Sequence, residues 1–216
     1  LGAINLAPIS VNQMYQTLAN NGEYRPLHTV SAVLSTDNQL LWQHGGFRQQ
    51  RVPEKVTYLL NYALHKVTKE GTAKRLGQNF PNINMAGKTG TTNDYRDSWF
   101  AGFDRNLVAT IWMGDDDNQQ TGLSGSSGAL NIFIDWQKEM SPKSLVQRFP
   151  EGLDIAHFEI VTGALMHPGC ANSISVPAII SVLPQQAKTC AGKIAPVTQP
   201  KPTQTKKKLW WQRIFG

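Results

Sequence analysis

Residues 98 to 103 (Ser-Trp-Phe-Ala-Gly-Phe) and 107 to 113 (Leu-Val-Ala-Thr-Ile-Trp-Met) are dense in aromatic and β-branched side chains and are separated only by Asp104-Arg105-Asn106. That pattern dictates two strands joined by a tight turn. Just upstream, residues 87 to 92 (Gly-Lys-Thr-Gly-Thr-Thr) set an ammonium, three hydroxyls and two glycines on one short segment. As a strand it places Thr89 and Thr91 on one face and Lys88 and Gly90 on the other, and Gly90 permits close approach to the backbone. The chemistry is that of an anion-recognition strand.

Three readings compete for this hexapeptide. A phosphate-cradling P-loop requires a glycine five residues before Gly87, where Asn82 stands, and a helix after the Lys-Thr, where Asn93-Asp94 and strand-like sequence follow. Spacing excludes it. A threonine-rich edge strand without a role is the bland reading, because three residues match easily. The third is a functional anion-recognition strand.

The remaining periodicity supplies the frame. A helix is expected near 8 to 20, ended by Asn20-Asn21-Gly22, followed by strands near 28 to 34 and 40 to 44 joined by Thr36-Asp37-Asn38. Pro53 opens a second helix, with Val56, Leu59, Leu60, Ala63, Leu64 and Val67 at helical spacing and Gly71 as its stop; these residues are expected in the core. A third helix spans about 129 to 140. Helices on a largely antiparallel sheet make an α+β unit.

Context sharpens the reading of the strand. Met85-Ala-Gly-Lys-Thr-Gly-Thr-Thr-Asn-Asp94, Asp97-Ser-Trp-Phe-Ala-Gly102 and Trp112-Met-Gly-Asp115 together resemble the penicillin-binding transpeptidases, in particular the bifunctional class A enzymes of the 1B type. Leu1 to Ile9, Glu70-Gly-Thr-Ala73 and Ser124-Gly-Ser-Ser-Gly-Ala129 add to the resemblance, which runs from residue 1 to about 140. It implies a penicillin-binding-protein/serine β-lactamase-like fold, here in part, and a cleft lined by the Lys-Thr-Gly strand. It further implies a serine nucleophile in Ser-x-x-Lys, assisted by Ser-x-Asn. No lysine of this chain has a serine three places before it. Ser10-Val11-Asn12 fits Ser-x-Asn, but it follows Pro8 at the start of an apolar-periodic run and reads as a helix N-terminus. The expectation is therefore the C-terminal half of a transpeptidase domain, lacking the nucleophile and its lysine, with the N-terminal half of its own chain as a partner.

By resemblance, Lys88, Thr89, Gly90, Thr91 and Thr92 bind substrate, a peptidoglycan stem peptide ending in D-Ala-D-Ala, or a β-lactam. The Lys88 charge and the Thr89 and Thr91 hydroxyls meet the terminal carboxylate, at roughly 1.5 to 3 kcal/mol for each hydrogen bond to a charged group. The backbone N–H of Thr91 is one donor to the oxyanion, and losing such a donor typically costs about 100- to 1,000-fold in rate. The resemblance also implies a periplasmic setting at the inner membrane and a glycosyltransferase elsewhere in the parent protein. No cofactor is expected. The rivals are a carboxypeptidase, a serine β-lactamase, and a non-catalytic module that docks a partner or a membrane.

Other motifs are weaker. In the serine-glycine run of 122 to 128 neither frame closes a Gly-x-Ser-x-Gly elbow, so a flexible loop capping the helix from Ala129 is expected. Asp115-Asp116-Asp117-Asn118 lacks the alternate-ligand pattern of a calcium loop, and His28, His44, His65, His157 and His167 form no metal pair. No metal site is expected. Cys170 and Cys190 either close a loop of about 20 residues, for roughly 3 kcal/mol, or remain thiols; with His167 they lack a fourth zinc ligand.

All 15 acidic residues lie at or before Glu159, and seven of the 21 basic ones lie after it, leaving residues 1 to 159 at a net charge of −1. A basic nucleic-acid groove on the globular part is not supported. From 141 to 195 a polar extension carrying the two cysteines is expected. Residues 196 to 216 read as a linker (Pro196, Pro200, Pro202) and a basic-aromatic tail, Lys206 to Gly216. That tail is either solvated, docked on the body, or a membrane-surface contact, to which each basic residue contributes about 1 kcal/mol.

Overall fold

The computed structural model describes residues 4–196. They fall into two compact units, divided between Leu145 and Val146.

The first unit is organised by three antiparallel strands, β5 (Ala86–Thr91), β6 (Ser98–Phe103) and β7 (Val108–Met113), in the order β5-β6-β7. The register pairs Thr91 with Ser98, Gly90 with Trp99 and Thr89 with Phe100. Side-chain alternation then sends Phe100 to one face and Phe103 to the other, and both are fully buried. On the Phe103 face, α1 (Pro8–Ala19) contributes Tyr15, whose ring meets Phe103 edge-on at 6.4 Å, and Leu18. On the Phe100 face, Phe133 of α4 (Ala129–Met140) stacks at a tilt, 4.7 Å between centroids, beside Leu76 of α3 (Lys74–Asn79). The sheet is thus covered on both sides. Its turn is fixed by Asp104, whose buried carboxylate accepts the N–H groups of Asn106, Leu107 and Lys143, each at 2.7 Å.

Ser10 lies in the first turn of α1, with Pro8 at the helix start, as expected for a helix N-terminus. Glu23–Tyr24 (β1) and Gln49–Gln50 (β4) pair as a short ribbon, and Ala32–Leu34 (β2) with Leu40–Gln43 (β3) form the expected hairpin. Both of its strands are exposed on both faces.

The second helix, α2 (Glu54–Lys69), corrects one expectation. Its buried residues are Thr57, Tyr58, Asn61, Tyr62, Leu64, His65 and Thr68, while Val56 and Leu60 are 43% and 41% exposed. The polar residues go inward because backbone acceptors wait there. Asn61 Nδ2 donates to Leu18 C=O at 2.9 Å, and His65 Nδ1 and Thr68 Oγ1 both donate to Met85 C=O, at 2.8 and 2.9 Å. A hydrogen-bonded amide or imidazole can be buried at little cost, so apolarity alone did not choose the inward face.

Leu145, which the sequence reading put in the extension, packs with Leu64, Ala86 and Phe103 and belongs to the first unit. The second unit, which takes up the rest of the expected extension, contains a five-stranded sheet. Strands β8 (Leu153–Glu159), β9 (Leu165–Met166), β10 (Ser173–Ile179), β11 (Gln186–Lys188) and β12 (Ile194–Pro196) are arranged β10-β8-β9-β11-β12. Pro196 lies in a strand, and the rest of the expected linker, from 197, lies outside the described residues. Pro177, a residue that argues against a central strand, sits in β10 at the sheet edge, where a missing N–H is tolerated. Cys170 and Cys190 are joined by a disulfide. The tail expected from 206 to 216 lies outside the described residues. Among the described residues no helix is long and apolar enough to cross a membrane.

Candidate functional site

Among the described residues, strand β5 has one neighbour, β6, and its other edge carries no strand. Which backbone groups face that open edge follows from the turn. Thr92 N–H donates to Asp97 C=O at 3.2 Å, making these two residues a bonded pair in continuation of the register. Bonded and non-bonded pairs alternate in an antiparallel ladder. Gly90 and Lys88 therefore direct their backbone groups at β6, whereas Thr91, Thr89 and Gly87 direct theirs outward. The Lys88 side chain agrees with that parity. Its Nζ curls round the strand to donate to Thr89 C=O at 2.9 Å and lies 3.4 Å from Thr89 Oγ1. The ammonium, a backbone carbonyl, a threonine hydroxyl and the Thr91 N–H thus share one accessible edge, with Lys88, Thr89 and Gly90 half-buried and Thr91 exposed.

The two inner threonines are held from behind. Thr91 Oγ1 accepts the Gly125 N–H at 2.9 Å, which leaves the hydroxyl proton without an acceptor among the described residues and free to be donated. Thr89 Oγ1 lies 2.6 Å from Thr72 Oγ1. Gly125 is required at its position, because a Cβ there would stand 2.4 Å from Gly90 O and 2.5 Å from Trp99 O. The serine-glycine loop is accordingly not loose but seated on β5 and β6. Ser98, fully buried, donates to Ser124 C=O at 2.8 Å and accepts the Ala129 N–H at 2.9 Å, capping the start of α4 from the neighbouring strand.

Thr92 lies one residue past the strand. β5 ends at Thr91, and the Thr92 hydroxyl donates to Asp97 Oδ2 while accepting the Asp97 N–H, both at 2.8 Å. Its hydroxyl proton is thereby committed to the turn, whereas that of Thr91 is not. Asp97 Oδ1 in turn accepts Trp112 Nε1–H at 2.8 Å. Asp94 and Tyr95, which follow, hold left-handed backbone (φ 59° and 54°), and Tyr95 C=O is tied down by Thr121 N–H and Oγ1 at 3.0 and 2.7 Å. The strand thus ends in a strained, pinned turn.

The edge can do two things chemically: neutralise an anion with Lys88 and the threonine hydroxyls, and offer an outward backbone N–H to a second oxygen. Of Lys88 through Thr92, singled out in the sequence, the structure brings Lys88, Thr89 and Thr91 to one edge. Sequence reasoning did not find Thr72 or Gly125 as their supports, although both lay in segments noted for other reasons, because they are 17 and 34 residues from their partners. Among the described residues no group of three or more histidine, cysteine, aspartate or glutamate side chains could hold a metal.

Residues 1–132 match the sequence model of the penicillin binding protein transpeptidase domain. The chain is 40% identical to penicillin-binding protein 1B of Vibrio cholerae over 177 residues, 82% of this chain and 23% of that protein. It is also 40% identical to penicillin-binding protein 1B of Escherichia coli over 153 residues, 71% of this chain and 18% of that protein. The chain thus spans about a quarter or less of the length of these curated relatives. In structure it resembles penicillin-binding protein 1A from Haemophilus influenzae, with a TM-score of 0.76 at 20% identity over 87% of this chain and 34% of that one, a likeness of fold.

Proposed function

The chain belongs to the penicillin-binding-protein transpeptidase family, with 1B-type proteins among its relatives, and from that premise we propose that the open edge of β5 grips the terminal carboxylate of a D-alanyl-D-alanine peptide during peptidoglycan cross-linking. Lys88 supplies the charge, and the Thr89 and Thr91 hydroxyls supply hydrogen bonds. The outward Thr91 N–H is one donor to the oxyanion formed when a serine attacks the penultimate carbonyl. β-Lactams, which carry a carboxylate beside a strained acyl group, enter by the same contacts. The observation that carries this reading is the Lys88 Nζ lying on the Thr89 carbonyl at the unpaired edge, 2.9 Å away.

The nucleophile is the part these residues do not hold. No Ser-x-x-Lys occurs in the 216 residues, so the attacking serine and its activating lysine come from polypeptide outside them. The full protein is read as acting on the periplasmic face of the inner membrane and as carrying a glycosyltransferase. Labelling with a fluorescent penicillin tests the division of labour. The 216-residue chain alone gives no covalent adduct, and the protein that includes the missing segment gives one. A stoichiometric adduct on the 216-residue chain would overturn the assignment.

A further inference from the structure

The threonine face of β5 does not end at the strand. An open cleft of about 610 Å³ lies beside it, lined by Glu70, Thr72, Lys74, Arg75, Ser126 and Ser127. Two hydrogen bonds connect this cleft to the strand. Thr72 touches Thr89 through their hydroxyls at 2.6 Å, and Ser126 directly follows Gly125, whose N–H is bonded to Thr91 Oγ1. The cleft and the carboxylate-gripping edge are therefore supported by the same two contacts.

The charge in the cleft is unbalanced. Glu70 is engaged by Lys66 at 2.7 Å, a contact along its own helix turn. Lys74 and Arg75 have no ion pair, and their side chains no hydrogen-bond partner, among the described residues. Two adjacent cations with three hydroxyls around them suit an oxyanion, and the planar guanidinium of Arg75 matches a carboxylate fork. The bland alternative is two solvated side chains on an exposed turn. It leaves unexplained why the cations face a hydroxyl-lined recess contiguous with the strand.

We propose that this cleft is a second carboxylate subsite, in which Lys74 and Arg75 take an internal carboxylate of the same acidic peptide whose terminal carboxylate rests on β5. The inference rests on the reading of β5 given above. A peptide segment of three extended residues reaches about 10 Å, so one short ligand can carry both groups. The subsite selects peptides with an acidic side chain or branch a few residues before the D-alanyl end.

The test uses the isotope-labelled 216-residue chain and two peptides differing in one group. They are N-acetyl-γ-D-glutamyl-Nε-acetyl-L-lysyl-D-alanyl-D-alanine and its counterpart with the glutamyl α-carboxyl as an amide. Titration followed by amide resonances is expected to show the acid form binding roughly threefold to tenfold tighter at low salt, the range that a pair of exposed ion pairs delivers. The advantage should shrink in high salt. The double variant K74A/R75A closes the gap between the two peptides while leaving the affinity for the amide form unchanged. Persistence of the acid preference in the variant, or its absence in the parent chain, overturns the subsite and leaves the β5 reading standing. If neither peptide perturbs the resonances of residues 88 to 91, both fall.

Discussion

The Gly125 amide donates a 2.9 Å hydrogen bond to the hydroxyl of Thr91, across 34 residues of sequence. That contact uses the threonine oxygen as acceptor and leaves its hydroxyl proton available for donation. It also fixes the loop that begins α4 against the strand. The geometry of the open edge is therefore held by a residue that carries no functional group.

A methyl group at Gly125 tests this support. Its Cβ would meet Gly90 O and Trp99 O at 2.4 and 2.5 Å, both backbone atoms that cannot swing aside. Gly125→Ala is expected to destabilise the first unit by about 1 to 3 kcal/mol, the usual cost of overpacking. Denaturant midpoints measure the cost, and a shift of the Thr91 amide resonance reports that the loop has lifted.

Ser98 is the second support. Its fully buried hydroxyl serves both Ser124 C=O and Ala129 N–H. Ser98→Ala leaves the buried Ala129 N–H unmet, while Ser124 C=O keeps the Gly128 N–H at 2.8 Å, and is expected to cost about 1 to 3 kcal/mol. Ser98→Thr keeps the hydroxyl but is also expected to cost stability, because the loop packs so closely that even a Cβ on Gly128 would stand 2.6 Å from Ser98 Oγ and 3.1 Å from Ser98 Cβ, which leaves little room for an added methyl group. Urea unfolding of the two variants decides the matter.

Acid sensitivity should centre on His65. Burial pushes its imidazole down to about 4, against an unperturbed value of 6.5, and Nδ1 stays protonated on Met85 C=O in the neutral tautomer. The unfolded chain takes up a proton below 6.5 and the folded one only near 4. Stability is therefore complete above about pH 6.5 and falls as pH drops through that window, by about 3 kcal/mol in all. Thermal melts between pH 4 and 7 should show this slope, and His65→Gln should flatten it. An equal slope in the variant would assign the effect to other groups.

The expected and observed faces of α2 make opposite predictions for two leucines. Leu60 is 41% exposed and Leu64 is buried against Ala86 and Phe103. Leu60→Ser is expected to change stability by no more than about 0.5 kcal/mol, as surface substitutions do. Leu64→Ala should cost about 2 to 5 kcal/mol. Equal losses at the two positions would return Leu60 to the core.

The same helix shows where sequence reading stops. Its extent was legible because Pro53 and Gly71 mark its ends, but its face was not, since Asn61, His65 and Thr68 are buried by backbone acceptors on Leu18 and Met85 that no periodicity reveals. Strands β6 and β7 were legible because aromatic and β-branched residues leave few alternatives. The sheet of the second unit was not, because β9 has two residues, β11 and β12 have three each, and β10 contains Pro177. At the site, Lys88 to Thr91 could be read as a strand with an anion-binding edge. Thr72 and Gly125 join it only through tertiary contact, and the loss of Thr92 to Asp97 depends on how the turn closes.

The most direct measurement of the central claim is a titration of the labelled chain with diacetyl-L-lysyl-D-alanyl-D-alanine and with the same peptide ending in a carboxamide. The free carboxylate should shift the amide resonances of Thr89 and Thr91 and the side-chain resonance of Lys88, and the carboxamide should not. Equal shifts with both peptides, or shifts confined to other parts of the chain, would contradict the assignment of β5 as the carboxylate-binding edge.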